Sequence, residues 1–353
     1  MKNIGFFRRM KEMEYWPTYL FYIPNVPYAL FLAVKARSCS FYTAVNPGIK
    51  SSGNGTESKF ETLKLIPNQF KPKSIFVSDE RDFNKVMTVL KKTEIDFPMI
   101  AKPDIGFRGL MVTKLKNEND LIKYLSTIQI PFIIQEFVDF PNECGVFYHR
   151  LPNSKNGSIT SLTLKSFLKI TGNGHTKFLN LIEQNERGRH YLDFLKRINH
   201  EKLDTIPAEN EIIQISDIGN HCKGTKFMDG NEFIDEKLIQ TFDQINRQIN
   251  GWNYGRLDIK YNTLEELKEG KNFRILEING IISEPTHIFD PEKSNYWGAL
   301  KEIRKHWEIM YQIAKQNNQN GIHYKSISTF LKELWDLKKY VKNLNRQQQK
   351  FNN

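Results

Sequence analysis

The stretch F-R-I-L-E-I-N carries Glu277 and Asn279 two residues apart. In an extended strand, residues i and i+2 share a face, so a carboxylate and an amide oxygen stand side by side. Oxygen donors so placed suit a hard cation such as Mg²⁺; a polar strand end entering a turn has the same pattern. A second stretch, G-R-L-D-I-K-Y, puts Arg256, Asp258 and Lys260 on one face and Leu257, Ile259 and Tyr261 on the other. That row fits a cross-strand salt network, or phosphate on Arg256 with metal on Asp258. If the two stretches pair antiparallel, the oxygens of Asp258, Glu277 and Asn279 converge on one point between protein and phosphates.

Two earlier stretches offer what a nucleotide needs. M-I-A-K-P-D-I-G-F-R-G sets Lys102 at a strand end, before a loop with Gly106 and Gly109. An ammonium neutralises phosphate, and glycines let backbone N–H groups approach it. Arg108 adds a second cation, although a plain hairpin turn reads alike. F-I-I-Q-E-F-V-D-F-P-N-E-C-G-V-F puts Glu136 and Glu143 on either side of a turn. There a connector's backbone can meet adenine and a carboxylate can accept from ribose, or two glutamates simply face solvent.

These groups need a scaffold, and the periodicities supply one. The pattern predicts a short helix from about Lys59, a strand at Ser74–Val77 and a helix from Glu80 to about Lys92, with Phe83, Val86, Met87 and Leu90 at helical spacing. F-P-M-I-A-K-P and L-M-V-T-K-L read as a hairpin around the glycine loop. A helix over Glu118–Thr127 leads to further strands at P-F-I-I-Q-E-F-V, E-C-G-V-F-Y-H-R, S-I-T-S-L-T-L-K-S-F-L-K-I and E-I-I-Q-I-S. Ser40–Pro47 reads as a strand ending in a turn, and a long helix runs from Tyr296 to about Gln316. The last segment is a basic amphipathic helix whose apolar stripe includes Ile327, Phe330, Leu331, Leu334, Leu337, Tyr340 and Val341. It either docks on its own chain or rests on an anionic membrane.

The chain has 353 residues and a formal net charge of +11, which favours polyanionic partners: nucleotides, nucleic acid or anionic membrane. No nucleic-acid-binding motif accompanies that charge. Cys39, Cys144 and Cys222 are widely separated, which argues against a disulfide framework or zinc site and fits a reducing cytoplasm. The basic start M-K-N-I-G-F-F-R-R carries no signal-peptide pattern. Tyr15 to Val34 is uncharged and long enough to span a bilayer, but Pro17, Pro24 and Pro27 interrupt it. The expectation is a broken hydrophobic hairpin, either resting on a membrane or packed on the main domain.

In order, these elements are a Lys–Pro with its glycine loop, Glu136, Glu143 seven residues on, R-x-D, and E-x-N. The series resembles the ATP-grasp superfamily, and within it the D-alanine–D-alanine ligase-like carboxylate–amine ligases, over about Gly55 to Pro291. The resemblance implies an α+β fold in which two subdomains clasp ATP. Residues 59–136 would carry the glycine loop and 137–320 the metal site. A reduced aromatic region (1–58) precedes them, and the C-terminal helix (321–353) follows.

It further implies Lys102 on the α- and β-phosphates, with the Gly106–Gly109 loop closing over the triphosphate. Glu136 and the backbone at Val138 would receive adenine, and Glu143 ribose. Asp258, Glu277 and Asn279 would hold Mg²⁺, Arg256 would steady the transferring phosphate, and Lys59 would be an earlier phosphate-binding lysine. The implied reaction joins a small-molecule or peptide carboxylate to an amine through an acylphosphate, releasing ADP and phosphate. An ATP-grasp kinase acting on a hydroxyl, and a membrane-associated ATP-binding protein with little turnover, are the alternatives. No nucleic-acid partner is expected. The implied location is cytoplasmic; contact of 15–34 with the inner membrane face, and a homodimer, stay open.

The chain also departs from the family. After Asn279 it reads G-I-I-S-E-P-T-H where true D-alanine–D-alanine ligases have N-T-x-P-G-M-T, so D-alanine is not the expected substrate. K-I-T-G-N-G-H-T-K-F-L-N-L-I is similar to the GDG…T…LI element of cyanophycin-synthetase-like ligases, with Asn173 in place of Asp. I-G-N-H-C-K-G-T-K-F, with His221, Lys223 and Thr225, is a substrate loop or an ordinary glycine turn.

Overall fold

Period-two alternation builds the strands that carry the candidate groups. The computed structural model describes residues 13–106, 109–217, 219 and 223–352, with side chains through 349. Arg108, His221, Cys222 and the basic start lie outside the described residues. The fold is α+β, with antiparallel sheets.

The first sheet contains β1 (Ser74–Val77), β2 (Met99–Pro103), β3 (Thr113–Leu115) and β4 (Phe132–Glu136), in the order β1–β4–β2–β3 with every neighbour antiparallel. Helices Phe83–Lys92 and Glu118–Thr127 cover it, packing Val86, Leu90, Leu121 and Tyr124 with Ile75, Met99 and Ile134. The first of these helices starts later than the apolar spacing suggests. Asp82 caps it, its carboxylate accepting from the Lys85 amide at 2.9 Å.

The chain continues through β5 (Asn142–His149), β6 (Ser158–Ser166), β7 (Lys169–Thr171), β8 (Ile212–Gln214), β9 (Lys226–Asp229), β10 (Tyr254–Tyr261) and β11 (Phe273–Asn279). Five of these form the second sheet, ordered β11–β10–β5–β6–β9, while β7 and β8 make a separate ribbon. The ribbon and the helices Phe178–Gln184 and Leu192–Ile198 bury their own small core around Phe178, Ile182 and Leu195. Behind the second sheet, helix Glu236–Asn246 packs Leu238, Phe242 and Ile245 with Val146, Leu162, Leu257 and Ile259. Each such side chain contributes about 1.5–3 kcal/mol of burial, so β5, β10 and β11 form a firm platform for whatever their other faces carry.

The aromatic segment is a kinked helical run, not a hairpin: Tyr19–Tyr22, a 3₁₀ turn Ile23–Asn25, then Val26–Ala36. Pro24 and Pro27 fall in the first turns of successive pieces, where a missing N–H removes no helical bond. One face packs on helix Tyr296–Gln319, with Phe21 beside Ala299 and Ile303, and Leu32 beside Met310 and Ile313. Asn25 fastens the junction, donating to the Leu300 carbonyl and accepting from Arg304 Nε at 2.6 Å. The other face leaves Ile23, Leu30, Phe31 and Val34 exposed. No helix among the described residues is long and apolar enough to cross a membrane.

Ser40–Pro47 is not a strand; it holds a 3₁₀ turn over Phe41–Ala44. Short polar side chains bond the backbone instead of a ladder. Thr43 donates to the Ser40 carbonyl at 2.7 Å and Asn46 to the Tyr254 carbonyl at 2.8 Å.

The C-terminal helix, Ile327–Asn352, docks on its own chain. Near its start Phe330 packs edge-on against Tyr42, and Glu333 accepts from Ser51 and Lys325. Farther along, Leu344 is fully buried in the core of the first sheet. Tyr340 donates to the Ile105 carbonyl at 2.8 Å, and Gln348 accepts from the Met111 amide at 2.7 Å. Those last two contacts fall on the two shoulders of the glycine loop.

Candidate functional site

A cleft of 1270 Å³ is lined by residues of both sheets. Strands β10 and β11 pair antiparallel, with Asp258 opposite Glu277 and Arg256 opposite Asn279. The register breaks after Asp258, because Ile259 faces Ile275 and Leu276 is the extra residue of a bulge. The bulge separates the Glu277 and Asn279 face from the buried Phe273 and Ile275. Lys102 Nζ reaches across from β2 to the Leu276 carbonyl at 3.3 Å, and also donates to Gln135 Oε1 at 3.1 Å.

Charged groups interlock on this floor. Arg256 forks onto Asp258, Nε to Oδ1 and Nη2 to Oδ2, each at 3.1 Å, the geometry that makes arginine–carboxylate pairs strong. Asn279 Nδ2 donates to Asp258 Oδ2 at 3.0 Å. Lys59, at the start of helix Lys59–Lys64, is ion-paired with Glu277. Gly145 lies opposite Asp258 on β5, where a Cβ would stand 2.9 Å from Arg256 Cδ and push that side chain aside.

Burial opposes ionisation of Asp258, but Arg256 and Lys165 outweigh it and hold the carboxyl well below its usual range. Burial likewise opposes ionised Glu277, and Lys59 and Lys102 bring its pKa down. Lys102 is the cation that burial wins: its pKa falls to about 8, with Glu277 resisting the shift. Such displaced values mark sites built for charged ligands as well as structural networks.

Among the described residues no group of three or more His, Cys, Asp or Glu side chains is arranged to hold a metal ion. Here the donor set is two ionised carboxylates and one amide. It fits a hard divalent ion whose remaining positions are filled by phosphate oxygens and water.

The other sequence candidates are placed as follows. Gly106 lines the cleft near Lys59, and Gly109, also lining it, has φ of +69°. Glu136 and Val138 line the cleft at the end of β4, where Glu136 accepts from the Lys73 amide at 3.0 Å. Glu143 is buried at the cleft floor with one oxygen on Lys165. Asn173 organises its own turn, accepting from the Thr176 amide at 2.9 Å, and is not among the cleft residues. Lys223 does line the cleft.

Sequence reasoning missed Lys165, Gln135 and Glu57, all of which line the cleft. The alternation in S-L-T-L-K, which puts Thr163 and Lys165 on one face of β6, was the available signal for Lys165. Nothing local distinguishes Glu57, whose pKa burial raises.

No protein-family model and no curated protein matches this chain. Solved structures of ATP-grasp ligases are similar to it. A bifunctional glutathione synthetase from Pasteurella multocida is 16% identical over 70% of this chain and 37% of its own, with a TM-score of 0.36. VanG D-Ala:D-Ser ligase from Enterococcus faecalis is 12% identical over 75% and 64%, with a TM-score of 0.41. D-alanine–D-alanine ligase from Bacillus anthracis is 11% identical over 77% and 70%, with a TM-score of 0.40. This chain thus spans little more than a third of the first and under two thirds of the second. At such distances, what the cleft does must be read from its own residues.

Proposed function

We propose that this chain is an ATP- and Mg²⁺-dependent ligase of the ATP-grasp type, joining a carboxylate to an amine. One observation carries the reading: Lys59, Lys102, Lys165 and Arg256 gather with Asp258 and Glu277 on the floor of a cleft bordered by a glycine loop. Among the described residues the cleft lining holds eleven lysines and arginines to nine aspartates and glutamates, an excess that suits a polyanion, and Asp258 and Glu277 with Asn279 suit the divalent ion that accompanies a triphosphate. Lys59, Lys102 and Arg256 would neutralise phosphates, the backbone at Val138 with Glu136 would meet adenine, and Glu143 would take ribose. A substrate carboxylate oxygen would bond to the γ-phosphorus as the bond to the β-phosphate oxygen breaks, and an amine would then displace phosphate. Mg²⁺ held by Asp258, Glu277 and Asn279 would offset charge on the departing oxygen. The protein's share is positioning and charge neutralisation.

The test is ADP release against a panel of amino acids, small peptides and cell-envelope precursors. A ligase releases phosphate and forms amide only when the amine is present. A stable phosphoester made without amine would reassign the chain as a kinase. Tight Mg·ATP binding with no ADP from any mixture would end the catalytic reading.

We further infer a cytoplasmic location with peripheral contact on an anionic bilayer. Exposed Ile23, Leu30, Phe31 and Val34 form an apolar face with no Asp or Glu between Glu14 and Glu57. Exposed Lys35 and Arg37 follow it in the chain, Lys35 also pairing with Glu308 at 3.7 Å, and Arg304 bonds Asn25 within the run from the helix that carries exposed Trp297. Aromatic and aliphatic residues bordered by cations suit the headgroup boundary.

A further inference from the structure

A second hollow of 260 Å³ opens beside the cleft and shares Ile282, Ser283 and Glu284 with it. Three segments build it: the aromatic N-terminal run supplies Tyr22, the helix Tyr296–Gln319 supplies His306 and Trp307, and the G-I-I-S-E-P-T-H stretch supplies the shared edge. Its volume is below the roughly 300–1,000 Å³ of pockets for drug-sized ligands, so it suits one group about the size of a side chain. Arg256, on the cleft side, donates to the Glu284 carbonyl at 3.3 Å. The hollow therefore adjoins the residue placed at the transferring phosphate.

The lining selects by charge. Glu284 is the one carboxylate among the lining residues, and no lysine or arginine is among them. Tyr22 Oη donates to Glu284 Oε1 at 2.5 Å, and Oε2 takes no hydrogen bond from a described residue. His306 adds no positive charge: burial, then Lys305 and its neighbouring histidines, hold its pKa well below the usual value. Tyr22 and Trp307, their rings 6.0 Å apart at 33°, both line it, and aromatic rings attract cations over their faces. Ile281, Ile303 and Met310 complete an apolar interior. An anion here would face Glu284 with no lysine or arginine in the lining, whereas an ammonium would bring a charged donor to its second oxygen.

We propose that this hollow receives an ammonium group carried on a short apolar body, and so selects the amine substrate. This rests on the ligase reading for its role in a reaction, but the binding preference stands on the lining alone. The probes are n-hexylamine, 1-hexanol and hexanoate, titrated calorimetrically into the full chain with and without Mg·ADP. Hexylamine should bind about tenfold or more tightly than hexanol, hexanoate should not bind, and Glu284→Gln should abolish the preference. Trp307→Leu should weaken hexylamine while leaving hexanol within about twofold, a second readout should Glu284→Gln fail to fold. Equal binding of amine and alcohol, or no binding of either, overturns the proposal. Mg·ATP affinity measured on the same samples separates the two readings: selective amine binding without Mg·ATP binding sinks the ligase and spares the hollow.

Discussion

Lys165 is tied to Asp258: its ammonium lies 3.0 Å from Asp258 Oδ1 while 2.7 Å from Glu143 Oε1. Burial alone would discharge this lysine, but Asp258 and Glu143 raise its pKa instead. It is thus the bridge between the β5 and β10 carboxylates.

Lys165→Met should lower stability by about 3–5 kcal/mol, the usual result of stranding buried charge. The pH dependence follows from Asp258, whose folded pKa is depressed. Its stabilising contribution is present above the ordinary aspartate pKa and is lost as pH falls through the folded value. In the variant Asp258 keeps Arg256 but loses Lys165, so its pKa is depressed less and it protonates at a higher pH than in the parent. The deficit should therefore be larger at pH 7 than at about pH 3, as measured by urea denaturation at both. An equal deficit at both would mean Lys165 stabilises through packing rather than charge.

Burial brings the pKa of Lys102 down to about 8. A triphosphate beside it favours the ammonium, so nucleotide binding between pH 8 and 9 should take up a fraction of a proton. Calorimetry in buffers of different ionisation enthalpy reads this directly. Lys102→Met should remove the uptake and weaken Mg·ATP on the order of tenfold or more. Uptake that survives the substitution would assign the titration to another group.

Asp258→Asn keeps the shape and one of the two hydrogen bonds from Arg256 but removes one proposed anionic metal ligand. Turnover with saturating Mg²⁺ should fall on the order of a hundredfold, whereas ADP affinity without metal should change within about threefold. Unchanged ADP production would remove Asp258 from the metal site. Thermal melting must accompany the assay, because the substitution also leaves Arg256 and Lys165 short of one charge.

Ile23 and Leu30 are 61% and 59% exposed, whereas Phe21 and Leu32 are fully buried. Substituting both Ile23 and Leu30 by Asp should therefore leave the melting temperature nearly unchanged and reduce co-sedimentation with phosphatidylserine vesicles. Raising salt should weaken whatever binding the cations provide. Equal sedimentation of both forms would show that this face does not meet lipid.

The charged floor of the cleft was legible because it obeys strand arithmetic. The period-two spacing in G-R-L-D-I-K-Y and F-R-I-L-E-I-N places Asp258, Glu277 and Asn279 on one face, and antiparallel pairing brings them together. What escaped depends on contacts between distant segments. Lys165 acquires meaning only when β6 lies beside β5, and the bulge at Leu276 shows only in the ladder. Ser40–Pro47 misled because Thr and Val favour strands, whereas its hydroxyls and Asn46 are bonded to remote carbonyls such as that of Tyr254. Tyr22 and Trp307, separated by most of the chain, meet beside Glu284 through the packing of two helices that no motif links.

The C-terminal helix is moored at both ends: Phe330 and Glu333 to the segment before the glycine loop's lysine partner, and Leu344 and Gln348 to the first sheet. A helix cannot stretch appreciably without breaking its own ladder. Any parting of the two sheets must therefore swing this rod or tear one mooring, and Ile105 and Met111 move with it. The tail of the chain thus couples the separation of the two sheets to the edges of the glycine loop.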